Sequence, residues 1–191
     1  MASLAGWLGT MHTAWGQAQP SSPDAEATEP IQNSNLNGET ALLILLAEMQ
    51  LNRGDFGAAY SMMFEAAKKT NDEGLYKRAV DIALSARNGN LALEAARQWK
   101  KAQPVSRTAN LHVLQILVAL NQLPESLMPL RAYVQLAPES EQVLLINGLP
   151  QIFAQAKDPE LAAAVVEQAL QPFVDKPLTA AASWTAIGRM Q

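Results

Sequence analysis

The chain has 191 residues, 49% of them hydrophobic and 17% charged, with 14 basic against 18 acidic side chains and a net charge of −4. This composition excludes a wholly disordered protein, and the length is enough to bury a substantial core. The acidic balance argues against a nucleic-acid-binding surface, which needs clustered Lys and Arg. With no cysteine, disulfides, thiolate nucleophiles, cysteine-ligated metal and a cysteine-linked lipid anchor are all excluded.

In chain order, Leu4, Trp7, Leu8, Met11 and Trp15 form a weakly apolar segment that ends in Gly16-Gln17-Ala18. Small residues two apart after an apolar stretch read as the remnant of a secretory signal over residues 1–18, although no Lys or Arg precedes Arg53. An amphipathic helix, weakened by Gly6, Gly9 and Gly16, or a leader with a wrongly chosen start fits the same residues. Residues 19–37, rich in Pro, Ser, Asn and acidic side chains, read as a flexible linker.

From residue 38 the pattern predicts apolar helices joined by short turns. The first spans about Thr40 to Asn52, with Leu42, Leu45, Leu46 and Met49 on one stripe. Its apolar run, Ala41 to Ala47, is too short to cross a membrane. Leu42 to Leu46 is apolar all round, so something should cover it. Gly54-Asp55 breaks this helix, and Asp55 caps a second, Phe56 to Lys69. Asn71-Asp72 opens a third to about Arg87, ended by Asn88-Gly89-Asn90, and a fourth runs from Leu91 to Lys101. Ser106 caps a fifth to Leu120, and Pro124 sits in the first turn of a sixth ending near Leu136. Pro138 opens a seventh to Ala156, in which Pro150 should produce a kink. Asp158-Pro159 starts an eighth to Gln171, and Thr179 starts a ninth. No stretch alternates like a strand, so the fold expected is all-α.

The second, fourth and eighth helices carry Ala59/Met63/Ala66, Ala95/Trp99/Ala102 and Ala162/Val166/Ala169, with Ser126/Leu130/Tyr133 a looser copy in the sixth. The first members lie 36, 31 and 36 residues apart (59 to 95, 95 to 126, 126 to 162). A small residue lets a paired helix approach, and a large one fills the groove between them. This small–large–small pattern resembles the second helix of a tetratricopeptide (TPR) repeat. The turn Arg53-Gly54-Asp55-Phe56, Ala47 and Ala83 twelve residues ahead of Ala59 and Ala95, and Trp184-Thr185-Ala186-Ile187-Gly188 are similar to that family's turn, small first-helix residue and repeat opening. In the third and fourth units Leu114 and Pro150 stand where the small residue belongs. The resemblance implies an α-solenoid of antiparallel helix pairs, a TPR-like right-handed superhelix, over residues 38–191: four repeats and the first helix of a fifth. The final helix, with Ala180, Ala181, Ala182, Trp184 and Ile187, lacks the polar outer face of a capping repeat. It implies a longer solenoid, or self-association through uncapped terminal helices.

No catalytic or cofactor constellation emerges. His12 and His112 are the two histidines, glycine-rich phosphate loops are missing, and acidic pairs such as Glu139/Glu141 and Asp158/Glu160 sit at helix starts, where the dipole favours them. Lys68-Lys69 and Lys100-Lys101 sit at helix ends for the converse reason. The chain therefore reads as a non-enzyme without cofactor or metal.

In the family, partners bind the concave face lined by the first helix of each pair. Carried over by position, that face presents Glu48 and Asn52, then Lys77, Asp81, Arg87 and Asn88, then His112 and Gln115, then Asn147, Gln151 and Gln155. Asn and Gln pair with peptide backbone, and Lys and Arg suit carboxylates. A solvated polar face is the alternative. Ile44 and Glu48 stand where the chaperone-binding members place Lys and Asn, which disfavours a co-chaperone role. The run from Leu45 to Trp99 also resembles the opening repeats of proteobacterial periplasmic TPR proteins, some of which deliver substrates to an envelope protease. That resemblance implies an exported scaffold or adaptor with a protein or peptide partner, no nucleic acid and no membrane span. A cytoplasmic location is the alternative. The rival function is the solenoid arm of an enzyme, like that of superhelical lytic transglycosylases, with its catalytic domain beyond residue 191.

Overall fold

The computed structural model describes residues 37–191. The expected signal remnant (1–18) and all but the last residue of the expected linker (19–37) lie outside that range. Among the described residues nine α-helices and one 3₁₀ turn follow one another without a strand. They are α1 (Gly38–Asn52), α2 (Phe56–Thr70), α3 (Glu73–Ser85), α4 (Gly89–Ala102), α5 (Arg107–Ala119), α6 (Leu127–Gln135), α7 (Glu139–Phe153), α8 (Pro159–Val174) and α9 (Ala180–Met190).

Side-chain caps set most helix starts. Asp55, Asp72, Asn88, Ser106 and Asp158 accept from the backbone N–H three residues on, at 2.9–3.1 Å. Several helix ends depart from the sequence expectation. α3 stops at Ser85 because Arg87 turns left-handed (φ 54°) and Asn88 caps α4, so the Asn88-Gly89-Asn90 stretch opens a helix. The sixth helix begins as the 3₁₀ turn Leu123–Ser126 around Pro124. α7 ends at Phe153, short of Ala156, with Pro150 inside it. α8 runs through Pro172 to Val174. Proline cannot donate to the carbonyl four residues back, and Arg131 Nη2 donates to that freed oxygen of Gln168 at 2.9 Å.

A backbone period accompanies the side-chain one. Gly54, Arg87 and Asn121 all have φ between 54° and 82° and lie 33 and 34 residues apart (54 to 87, 87 to 121). After each, an N–H reaches back five residues: Asp55 to Gln50, Asn88 to Ala83, Gln122 to Leu117. This is a left-handed helix stop of the Schellman type, repeated at the turns within the first three pairs.

Each helix from α1 to α5 packs on its successor. The small residues expected at these contacts are buried: Ala47, Ala59, Ala66, Ala83, Ala95, Ala162 and Ala169 are fully covered, with Ala102 half-buried. At the C-terminal end the order changes. α9 packs on both α7 and α8, and α6 on α8, while α7 and α8 meet one another less extensively. Pro150 holds the position that Ala47 and Ala83 fill in α1 and α3, and with Ala162 of α8 it lines a hollow of about 200 Å³.

Side-chain ion pairs link the helices: Glu39–Lys69 joins α1 to α2 within the first pair, while Glu48–Arg78, Arg97–Glu125 and Arg107–Glu141 join neighbouring units. The Tyr60 hydroxyl donates to the Leu91 carbonyl at 3.1 Å, and burial pushes its pKa up. The chain is an all-α solenoid in which each unit leans on the next.

Candidate partner-binding surface

α3, α5 and α7 are the first helices of successive pairs, and their free faces carry most of the residues expected to bind. Lys77 and Asp81 lie one turn apart on α3, Lys77 exposed and Asp81 half-buried, with exposed Leu84 following on the same side. A hollow of about 240 Å³ opens among Leu84, Gly89, His112, Gln115, Ile116 and Ala119. A second, of about 250 Å³, lies between α5 and α7, lined by Gln115, Val118, Ala119, Gln151, Ile152 and Gln155. Gln115 and Ala119 belong to both, so the two hollows form one strip from the end of α3 across α5 to α7.

The structure thus brings together His112, Gln115, Gln151 and Gln155. The His112 ring stands 5.1 Å from that of Trp99, and its Nδ1 lies 2.9 Å from the Thr108 carbonyl. Asn147 is exposed on α7 but lines neither hollow. Asn52 is exposed at the end of α1. Glu48 is gripped by Arg78, whose hydrogen bond and charge hold its carboxyl below the usual range. The Asn88 side-chain oxygen is used by the Leu91 amide, and Arg87 is exposed in its left-handed turn.

A larger groove of about 670 Å³ lies elsewhere, on α2, α4 and the 3₁₀ turn, among Phe64, Lys68, Leu93, Arg97, Lys101 and Glu125. Sequence reasoning assigned Lys68 and Lys101 to helix-end electrostatics and so passed over it. Lys68 pairs with Glu65 at 2.7 Å and lies 5.1 Å from the centre of the Phe64 ring, and Arg97 pairs with Glu125. Its cations are thus largely matched by their own neighbours. The signal that could have revealed it is the matching pair of second helices, α2 and α4, each ending in two lysines.

Among the described residues no group of three His, Asp or Glu side chains is placed to hold a metal ion, and no helix is long and apolar enough to cross a membrane. These features define a helical-repeat solenoid with an open strip of amide and apolar side chains. No family model matches the chain. No curated protein matches it. Among solved structures it is similar to one described as "MamA RS-1 ArsTM double mutant", at 18% identity over 81% of this chain and 95% of that one, with a TM-score of 0.49.

Proposed function

We propose that the chain is a non-catalytic scaffold or adaptor of tetratricopeptide type that holds a peptide or protein segment along the strip from Leu84 through Gln115 to Gln155. The observation that carries this reading is the continuity of the two hollows at Gln115 and Ala119. An extended segment needs partners for its backbone N–H and C=O groups. Gln115, Gln151 and Gln155 each offer a donor and an acceptor. Leu84, Ile116 and Ile152 supply apolar contact between them, and Lys77 and Arg87 at the α3 end suit a carboxylate. Exposed polar residues alone make a solvated face; the interleaved apolar floor favours a guest.

The reading extends to an exported adaptor that presents its guest to an envelope protease. Gly16-Gln17-Ala18 and the resemblance of Leu45 to Trp99 to periplasmic TPR proteins support this. N-terminal sequencing of the protein recovered from a bacterial envelope fraction tests export, with cleavage after Ala18 expected and an intact Met1 contradicting it.

The binding claim is tested with a displayed library of random peptides. Ala119 is exposed at the junction of the hollows, so Ala119→Arg fills both without entering the core. Peptides enriched on the wild type and lost on Ala119→Arg support the strip; peptides held equally by both refute it.

A further inference from the structure

α1 carries apolar side chains on both sides, but among the described residues only one side has a neighbour. Ile44, Ala47 and Leu51 pack inward on α2 and α3, while Leu42, Leu45 and Met49 are 55%, 59% and 42% exposed. Their spacing of three then four is that of a helix–helix seam. Counted from Ala47, the same positions in α5 (from Leu114) are Ala109, His112 and Ile116, and in α9 (from Gly188) Ser183, Ala186 and Met190. All six are buried or half-buried. The α3 counterpart of Leu42 is Arg78, which turns back to grip Glu48 of α1. In α3 and α7 the pattern is looser, with Ser85 and Gly148 exposed at these positions, but on α1 all three side chains are exposed, leaving an apolar stripe with nothing on it among the described residues.

We infer that a second copy of this chain covers it, α1 against α1 in antiparallel array about a two-fold axis. Charge selects this occupant. Glu39 lies one turn before Leu42, and Arg53 one turn after Met49. An antiparallel crossing centred between Leu45 and Leu46 sets Leu42 opposite Met49 of the second copy. The same crossing sets Glu39 opposite Asn52 of the second copy at both ends, with Arg53 the next residue along. Arg53 makes no ion pair among the described residues, and Glu39 gives only Oε1 to Lys69, leaving Oε2 for a second cation. Antiparallel helices also set each positive N-terminus against a negative C-terminus. A lipid surface is a poorer match, since the stripe lacks the flanking row of Lys and Arg that such helices carry. One face serves both copies, so the pairing closes at two. The inference is independent of what the α3–α5–α7 strip holds.

Sedimentation equilibrium of the full chain over a wide concentration range tests it. The average mass should rise from one chain to two and stop. Leu45→Lys should hold it at one chain with unchanged circular dichroism, and Met49→Lys should do the same if Leu45→Lys folds poorly. Arg53→Glu or Glu39→Lys should each weaken the dimer by about fivefold, and the two together should restore it. Three results overturn the inference: a wild type that stays at one chain throughout, dimers that survive both lysine variants, or growth beyond two chains that Trp184→Lys abolishes. The last would mean end-to-end stacking on α9.

Discussion

Arg78 of α3 holds Glu48 of α1 through two parallel hydrogen bonds, Nε to Oε1 at 2.8 Å and Nη2 to Oε2 at 2.7 Å. Both partners are half-exposed, so solvent screens the pair and its worth is below about 1 kcal/mol. The sign of its pH dependence is fixed. Arg78 lowers the Glu48 pKa in the folded state, so the stabilisation is present above the unfolded carboxylate's pKa and is lost as pH falls through the folded one. Glu48→Gln should lower the urea midpoint slightly at neutral pH, and the gap to wild type should close in acid. A gap that stays constant with pH contradicts the pairing.

Ala95 is fully buried where α3 and α4 meet. Ala95→Leu forces three extra carbons into that contact and should cost about 1–3 kcal/mol in chemical denaturation. Ala181 is exposed on α9, so Ala181→Leu should change stability by less than about 0.5 kcal/mol.

The left-handed turn at Arg87 (φ 54°) is strained for any residue with a Cβ. Arg87→Gly should raise stability by up to about 1 kcal/mol, whereas Arg87→Ala should leave it nearly unchanged, since alanine keeps the strain. Equal effects from the two substitutions would mean that the side chain, not the backbone, sets the stability there.

Much of this array is legible in the sequence because its packing rule is local. Small residues at fixed spacing mark where helices approach, and Ala47, Ala59, Ala83 and Ala95 are buried as that rule requires. The caps Asp55, Ser106 and Asp158 are equally readable, since one side-chain oxygen serves one nearby amide. The backbone repeat at residues 54, 87 and 121 is not, because Gly, Arg and Asn share a conformation without sharing chemistry. Nor is the partner of the carbonyl that Pro172 frees in α8, an arginine 41 residues earlier in the chain (131 to 172). For the candidate surface, position within the repeat picked out Gln115, Gln151 and Gln155, which the structure gathers. It also picked out Glu48 and Asn88, whose side chains are engaged by Arg78 and by the cap of α4. Such partners come from other helices or from the next turn, and a positional rule does not see them.

Arg131 and Pro172 should behave as a coupled pair. Arg131→Met strands the Gln168 carbonyl and should cost under about 1.5 kcal/mol. In a Pro172→Ala background the new N–H can take that carbonyl, so the same change should cost less. Additive costs in the double-mutant cycle would show that the two do not share the oxygen.

The central claim is that a guest lies on the strip formed by α3, α5 and α7. Hydrogen-exchange mass spectrometry with a library-selected peptide reads this directly. The account expects slowed exchange over residues 115–119 and 151–155, which line the strip, with none around Phe64, Lys68, Arg97 and Lys101. Protection confined to those four, in the larger groove of α2 and α4, would contradict it.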